Sequence, residues 1–159
     1  GVLGLIPFLL PVYWAFDERI ILGLDPSIIF SSYSSVILTF LAGSLWSQVI
    51  LSKNQFFLYQ TADSSESDRE ATNETVGIAL AFISNFLALV CWALLILPEE
   101  FYVIALMVQL IGFVIVLWLE AGWRLLHRKV YPNSYLTLRC VLTVIVCSAH
   151  ITMIFLNFE

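Results

Sequence analysis

Long apolar runs separated by short polar breaks fill the chain. The runs are Gly1–Phe16, Ile28–Leu51, Val76–Leu97, Phe101–Leu126 and Tyr135–Phe158. A bilayer core about 30 Å thick is crossed by about 20 apolar residues in a helix. The last four runs meet that length. The first is shorter and carries Pro7 and Pro11, which kink a membrane helix. It opens on Gly1 rather than Met, so residues upstream are expected to complete the span. The pattern predicts an all-α polytopic membrane protein, a bundle of five transmembrane helices forming a single membrane domain over 1–159. The spans fall at about 1–16, 28–51, 76–97, 101–126 and 135–158, with a polar loop at 52–75.

The breaks give the topology. Asp17-Glu18-Arg19 marks a water interface, Ile20–Leu24 is placed along it, and Asp25-Pro26-Ser27 reads as a turn able to cap the next helix. Ser52–Thr75 holds the charged, serine-rich stretch Asp63–Glu70 and reads as a mobile connection. The sequon Asn73-Glu74-Thr75 abuts a span and is assigned to helix capping. Pro98-Glu99-Glu100 and Tyr131-Pro132-Asn133 are tight turns, so spans 3–4 and 4–5 form antiparallel hairpins. With five alternating spans, Lys53, Arg69, Arg124, Arg128, Lys129 and Arg139 share one side and Arg19 alone lies on the other. The positive-inside rule then places the N-terminus inside and the C-terminus outside.

Composition adds exclusions. Of the 159 residues 60% are hydrophobic and 12% charged, with a mean hydropathy of +0.94. A soluble domain is about 25% charged. The net charge of −5 lies mostly in the connections, and no basic patch interleaved with aromatics is present, which excludes nucleic-acid binding. Cys91, Cys140 and Cys147 lie within predicted spans and read as small apolar residues. No phosphate-binding loop, nucleophile elbow, HExxH or dinucleotide fingerprint occurs, so no enzyme activity and no cofactor are expected.

Four groups of residues are candidates for a role. Ser31, Ser35, Thr39, Gly43 and Ser47 recur at four-residue spacing and predict a helix-packing face. Asn85 and Gln109, near mid-span, are expected to hydrogen-bond between helices, although a polar pore lining would use the same residue types. Glu120 and Arg139 lie at similar distances on either side of the span 4–5 turn. Intramembrane charges normally pair or face a cavity, so a Glu120–Arg139 bridge is expected, or else a Glu120–Arg124 pair one turn apart. His150 continues a weakly polar face with Cys140, Thr143 and Cys147. His127 lies at the opposite surface, and one helix face offers too few ligands for a metal, so no metal or haem site is assigned.

Several segments together resemble a known family. They are Gly4-Leu5-Ile6-Pro7-Phe8, Tyr33 through Trp46, and Tyr135-Leu136-Thr137-Leu138-Arg139 followed by Leu142-Thr143. The resemblance is to the domain of unknown function 3429 family of proteobacterial membranes, with a related animal member called transmembrane protein 69. It departs from the family pattern at Leu45, where histidine is common before the tryptophan, and at Ser134-Tyr135, where Trp-Tyr is common. The resemblance implies a five-span protein of the bacterial or mitochondrial inner membrane and no particular activity. The expected role is a non-catalytic accessory or assembly subunit of a larger respiratory or photosynthetic complex, contacting lipid and other transmembrane subunits through helix faces. The alternative is a small oligomeric transporter or channel using Asn85, Gln109, Glu120 and Arg139.

Overall fold

A computed structural model describes the backbone of residues 2–17, 23–59, 67–126 and 133–157, and their side chains except those of 2, 46–59, 67–74, 76, 99, 123–126 and 133–136. Helix dominates because a chain in hydrocarbon must satisfy its backbone groups internally. The α-helices are α1 (Ile6–Phe16), α2 (Pro26–Tyr59), α3 (Ser67–Ile96), α4 (Tyr102–Leu126) and α5 (Asn133–Leu156), and no strand occurs among the described residues. Four are long and apolar enough to cross a membrane, whereas the apolar stretch at α1, Leu3–Phe16, is shorter. The protein is a helical membrane protein.

The helix ends have local causes. Asp25 Oδ1 accepts the Ser27 N–H at 2.7 Å, with Pro26 as the first helical residue of α2. Asp25 thus caps the free N–H of Ser27, and proline at the first helical position lacks only an N–H that would have no intrahelical partner. Gly23, with φ of 77°, supplies the left-handed turn before it. Proline opens and interrupts α1 at Pro7 and Pro11, and Pro11 is buried.

The helices outrun the apolar segments on one side. α2 continues to Tyr59 and α3 begins at Ser67. The expected mobile connection over 52–75 is therefore helical at 52–59 and 67–75, which corrects that reading. The added turns contain good helix formers such as Lys53, Gln55 and Leu58, and α3 starts with acidic Asp68 and Glu70, favoured at a helix N-terminus. The central part of that connection, Asp63–Glu66, lies outside the described residues. So do most of Ile20–Leu24, His127 and the Tyr131-Pro132 turn, and the side chain of Ser47.

The core draws mainly on α1, α2, α4 and α5, with Leu87 and Cys91 of α3 joining it. Leu5, Phe8, Phe30, Leu38, Leu106, Phe113, Val116, Val146 and Met153 are buried there. α3 lies along α2 and barely meets α4. At the opposite end of the bundle from the α4–α5 connection, Ser27 Oγ donates to Asn157 Oδ1 at 3.4 Å, and Asn157 Nδ2 donates to the Met153 carbonyl at 2.8 Å. These bonds bring the start of α2 to the end of α5.

Candidate functional site

Three buried polar arrangements tie the bundle together. The first centres on Gln109 of α4, which is fully buried. Its Nε2 donates to the Ser31 carbonyl at 3.0 Å, to Ser31 Oγ at 3.0 Å and to Ser35 Oγ at 2.9 Å. A backbone carbonyl only accepts, so it fixes which end of the amide points at α2. Gln109 Oε1 has no hydrogen-bond partner among the described residues, and neither does the buried Ser34 Oγ. One turn on from Gln109, a Cβ at Gly112 would stand 2.6 Å from Leu38 Cδ2. Glycine lets α2 and α4 approach closely at that level.

The second arrangement is an ion pair. Arg139 of α5 approaches Glu120 Oε2 through Nη2 at 2.7 Å and donates through Nε at 2.9 Å. Glu120 is 1% exposed and Arg139 11%. They come together because they are 19 residues apart in chain order, straddling the hairpin turn. Each therefore stands at the same depth on its own helix, at about 1.5 Å per residue. Two short, charge-assisted bonds on one oxygen lock the α4–α5 hairpin near the end where α4 finishes and α5 begins.

The third is His150. Its Nδ1 lies 2.9 Å from the Val146 carbonyl. That partner only accepts, so Nδ1 carries the hydrogen and Nε2 presents a lone pair. Nε2 has no hydrogen-bond partner among the described residues. The ring is boxed by Phe30, Phe113 and Phe8, at centroid distances of 4.8, 5.4 and 6.2 Å. Phe8 also packs edge-on against Tyr33 at 4.9 Å, and Tyr33 Oη donates to the Gly4 carbonyl at 3.0 Å. The imidazole thus acts as an aromatic packing piece joining α1, α2, α4 and α5. No group of three or more His, Cys, Asp or Glu able to hold a metal occurs among the described residues.

The small-residue series on α2 does not form one face. Ser31 and Ser35 are buried against Gln109, while Thr39 is half-buried beside Cys91 of α3. Gly43 is exposed, with open space around it. The expectation of a straight packing stripe through Gly43 is corrected by helix geometry. Four residues turn about 400°, so a four-residue repeat winds about 40° further round the helix at each step. The series turns from α4 to α3 and then to the outside. Asn85 also departs from expectation, since its side chain is exposed and has no partner among the described residues.

Ser34, Gly112 and the phenylalanine box were not singled out from sequence. A lone glycine three residues from a mid-span glutamine was the available signal for Gly112. Phenylalanines scattered over three helices carry no such signal.

A family model described as "Protein of unknown function (DUF3429)" matches residues 1–155. The chain belongs to the DUF3429 family. The matched residues include all three polar arrangements. Searches of curated proteins and of solved structures find no match to this DUF3429 chain.

Proposed function

We propose that this DUF3429 protein is a non-catalytic accessory or assembly subunit of a larger complex in a bacterial or mitochondrial inner membrane. One observation carries the reading. The intramembrane polar side chains of α4 engage neighbouring helices of the same chain: Gln109 engages α2 and Glu120 engages α5. Groups used in this way hold a scaffold in shape. What the chain offers outward is helix surface, which is where a membrane subunit meets its partners. A respiratory or photosynthetic complex is the proposed setting. The N-terminus is proposed inside and the C-terminus outside, on the distribution of the seven basic residues.

A transporter or channel would need Asn85, Gln109, Glu120 and Arg139 to converge on one wet path. Here Gln109 faces α2, Glu120 and Arg139 face each other, and Asn85 faces outward. Extraction from native membranes in a mild detergent, followed by sizing and identification of co-migrating subunits, tests the proposal. Co-migration with a defined set of other membrane proteins is expected. Migration with no other polypeptide, across several gentle detergents, would defeat it.

A further inference from the structure

The outward face of α3 carries a seam that no described residue covers. Ile78, Phe82, Asn85, Leu89, Trp92 and Ile96 are spaced four, three, four, three and four residues apart. This is the 3.5-residue repeat by which two helices wind around each other left-handedly. All six are exposed, the five apolar ones between 52% and 71%. The residues that pack α3 into its own bundle, Leu80, Ser84, Leu87 and Cys91, lie well away around the helix.

Apolar exposure alone is ordinary in lipid. Asn85 makes this face different. It lies eight residues into the apolar window that begins at Gly77, about 12 Å deep and so close to the middle of the bilayer. A carboxamide there has no water to bond and no side-chain partner among the described residues. Polar side chains join membrane helices because hydrocarbon gives them no alternative.

We propose that two copies of this chain associate through α3, with Asn85 hydrogen-bonded to Asn85 of the second copy. The membrane itself selects this partner. Copies of one chain share one orientation, so a two-fold axis along the membrane normal sets the two α3 helices parallel. Each seam residue then meets its own counterpart at equal depth. A carboxamide is both donor and acceptor and therefore complements itself. In the repeat, Ile78, Asn85 and Trp92 take one core position and Phe82, Leu89 and Ile96 the other. A single self-complementary carboxamide in an otherwise apolar seam favours the one register in which it meets its own counterpart. The inference does not rest on the accessory-subunit reading, since such a pair could stand alone or inside a larger complex.

Oxidative crosslinking of the full chain in its native membrane tests the pairing. Wild type, with its three native cysteines, is the blank, and Phe86→Cys is the control at the same depth but off the seam. Asn85→Cys is expected to give a covalent homodimer well above both. A yield no higher than Phe86→Cys, or coupling to a different polypeptide, overturns the proposal. As a second arm, dimer dissociation is followed in lipid vesicles at increasing dilution. Asn85→Leu, which touches no core residue, should weaken association about three- to thirty-fold, and Asn85→Gln should recover part of it. Wild-type protein that is monomeric throughout, or Asn85→Leu that dimerises as wild type does, would equally overturn it. Failure of the accessory-subunit reading appears differently, as a dimer with no other protein attached.

Discussion

α4 and α3 are neighbours in the chain, joined by the short turn that includes Pro98, and both are apolar enough to span a bilayer. They use their polar residues in opposite ways. In the spanning window of α4, 33% of residues are buried, against 17% in that of α3. Gln109 and Asn85 carry the same carboxamide, each in the middle third of its span. One donates to two serines of α2, and the other faces outward. Composition does not separate the two helices. Position does, because α4 has neighbours on several sides and α3 rests mainly on α2.

On that contrast, damage to polar groups around α4 should unfold the monomer, whereas damage to Asn85 should not. The largest effect is expected at the Glu120–Arg139 pair. Arg139→Ala leaves a buried carboxylate uncompensated, a change that costs about 3–5 kcal/mol in soluble proteins. Arg139 stands in the first turn of its span, so water reaching that level softens the loss. The folded fraction during detergent denaturation should fall sharply. Glu120→Gln combined with Arg139→Gln should restore part of it, and a double variant no better than Arg139→Ala would count against a paired role.

Gly112→Val comes next. It drives a branched side chain into Leu38 and should destabilise by about 1–3 kcal/mol, the usual cost of overpacking. Thermal unfolding of the purified protein measures it. A neutral result would mean that α2 and α4 can separate without penalty. Gln109→Leu should cost about 1–2 kcal/mol by the same assay. The loss is limited because Ser31 and Ser35 can turn their hydroxyls onto carbonyls of their own helix. Smallest of all, Asn85→Leu should change monomer unfolding by no more than about 0.5 kcal/mol, the usual range for exposed positions. A loss as large as that of Gln109→Leu would erase the distinction between the two helices.

Much of the architecture was legible from run length and charge, because the bilayer sets how long an apolar helix must be. The equal depth of Glu120 and Arg139 could be counted from the turn between them. The partner of Gln109 could not, since α2 is far away in sequence and many of its residues are small. The helical turns at 52–59 and 67–75 were hidden because polarity reports on solvent, and a polar chain can still be helical. The outward direction of Asn85 was hidden for a related reason. A helix apolar on every side has no polar face to mark which way it looks. The small-residue series of α2 misled because a spacing of four approximates 3.6 for one turn and not for four.

That winding series bears on how the bundle can move. A slide of α2 along its axis by one turn, about 5.4 Å, would bring Ser35 to the level of Ser31 but rotated by about 40°, away from Gln109. It would also push Leu38 off the notch at Gly112. Sliding must therefore be coupled to rotation, like a bolt in its thread, and the same rotation would turn Thr39 away from Cys91. Piston-like displacement of α2 is blocked on two sides at once. The core of the bundle can be expected to tilt or travel as one body, with any rearrangement taken up at its lipid-facing surfaces.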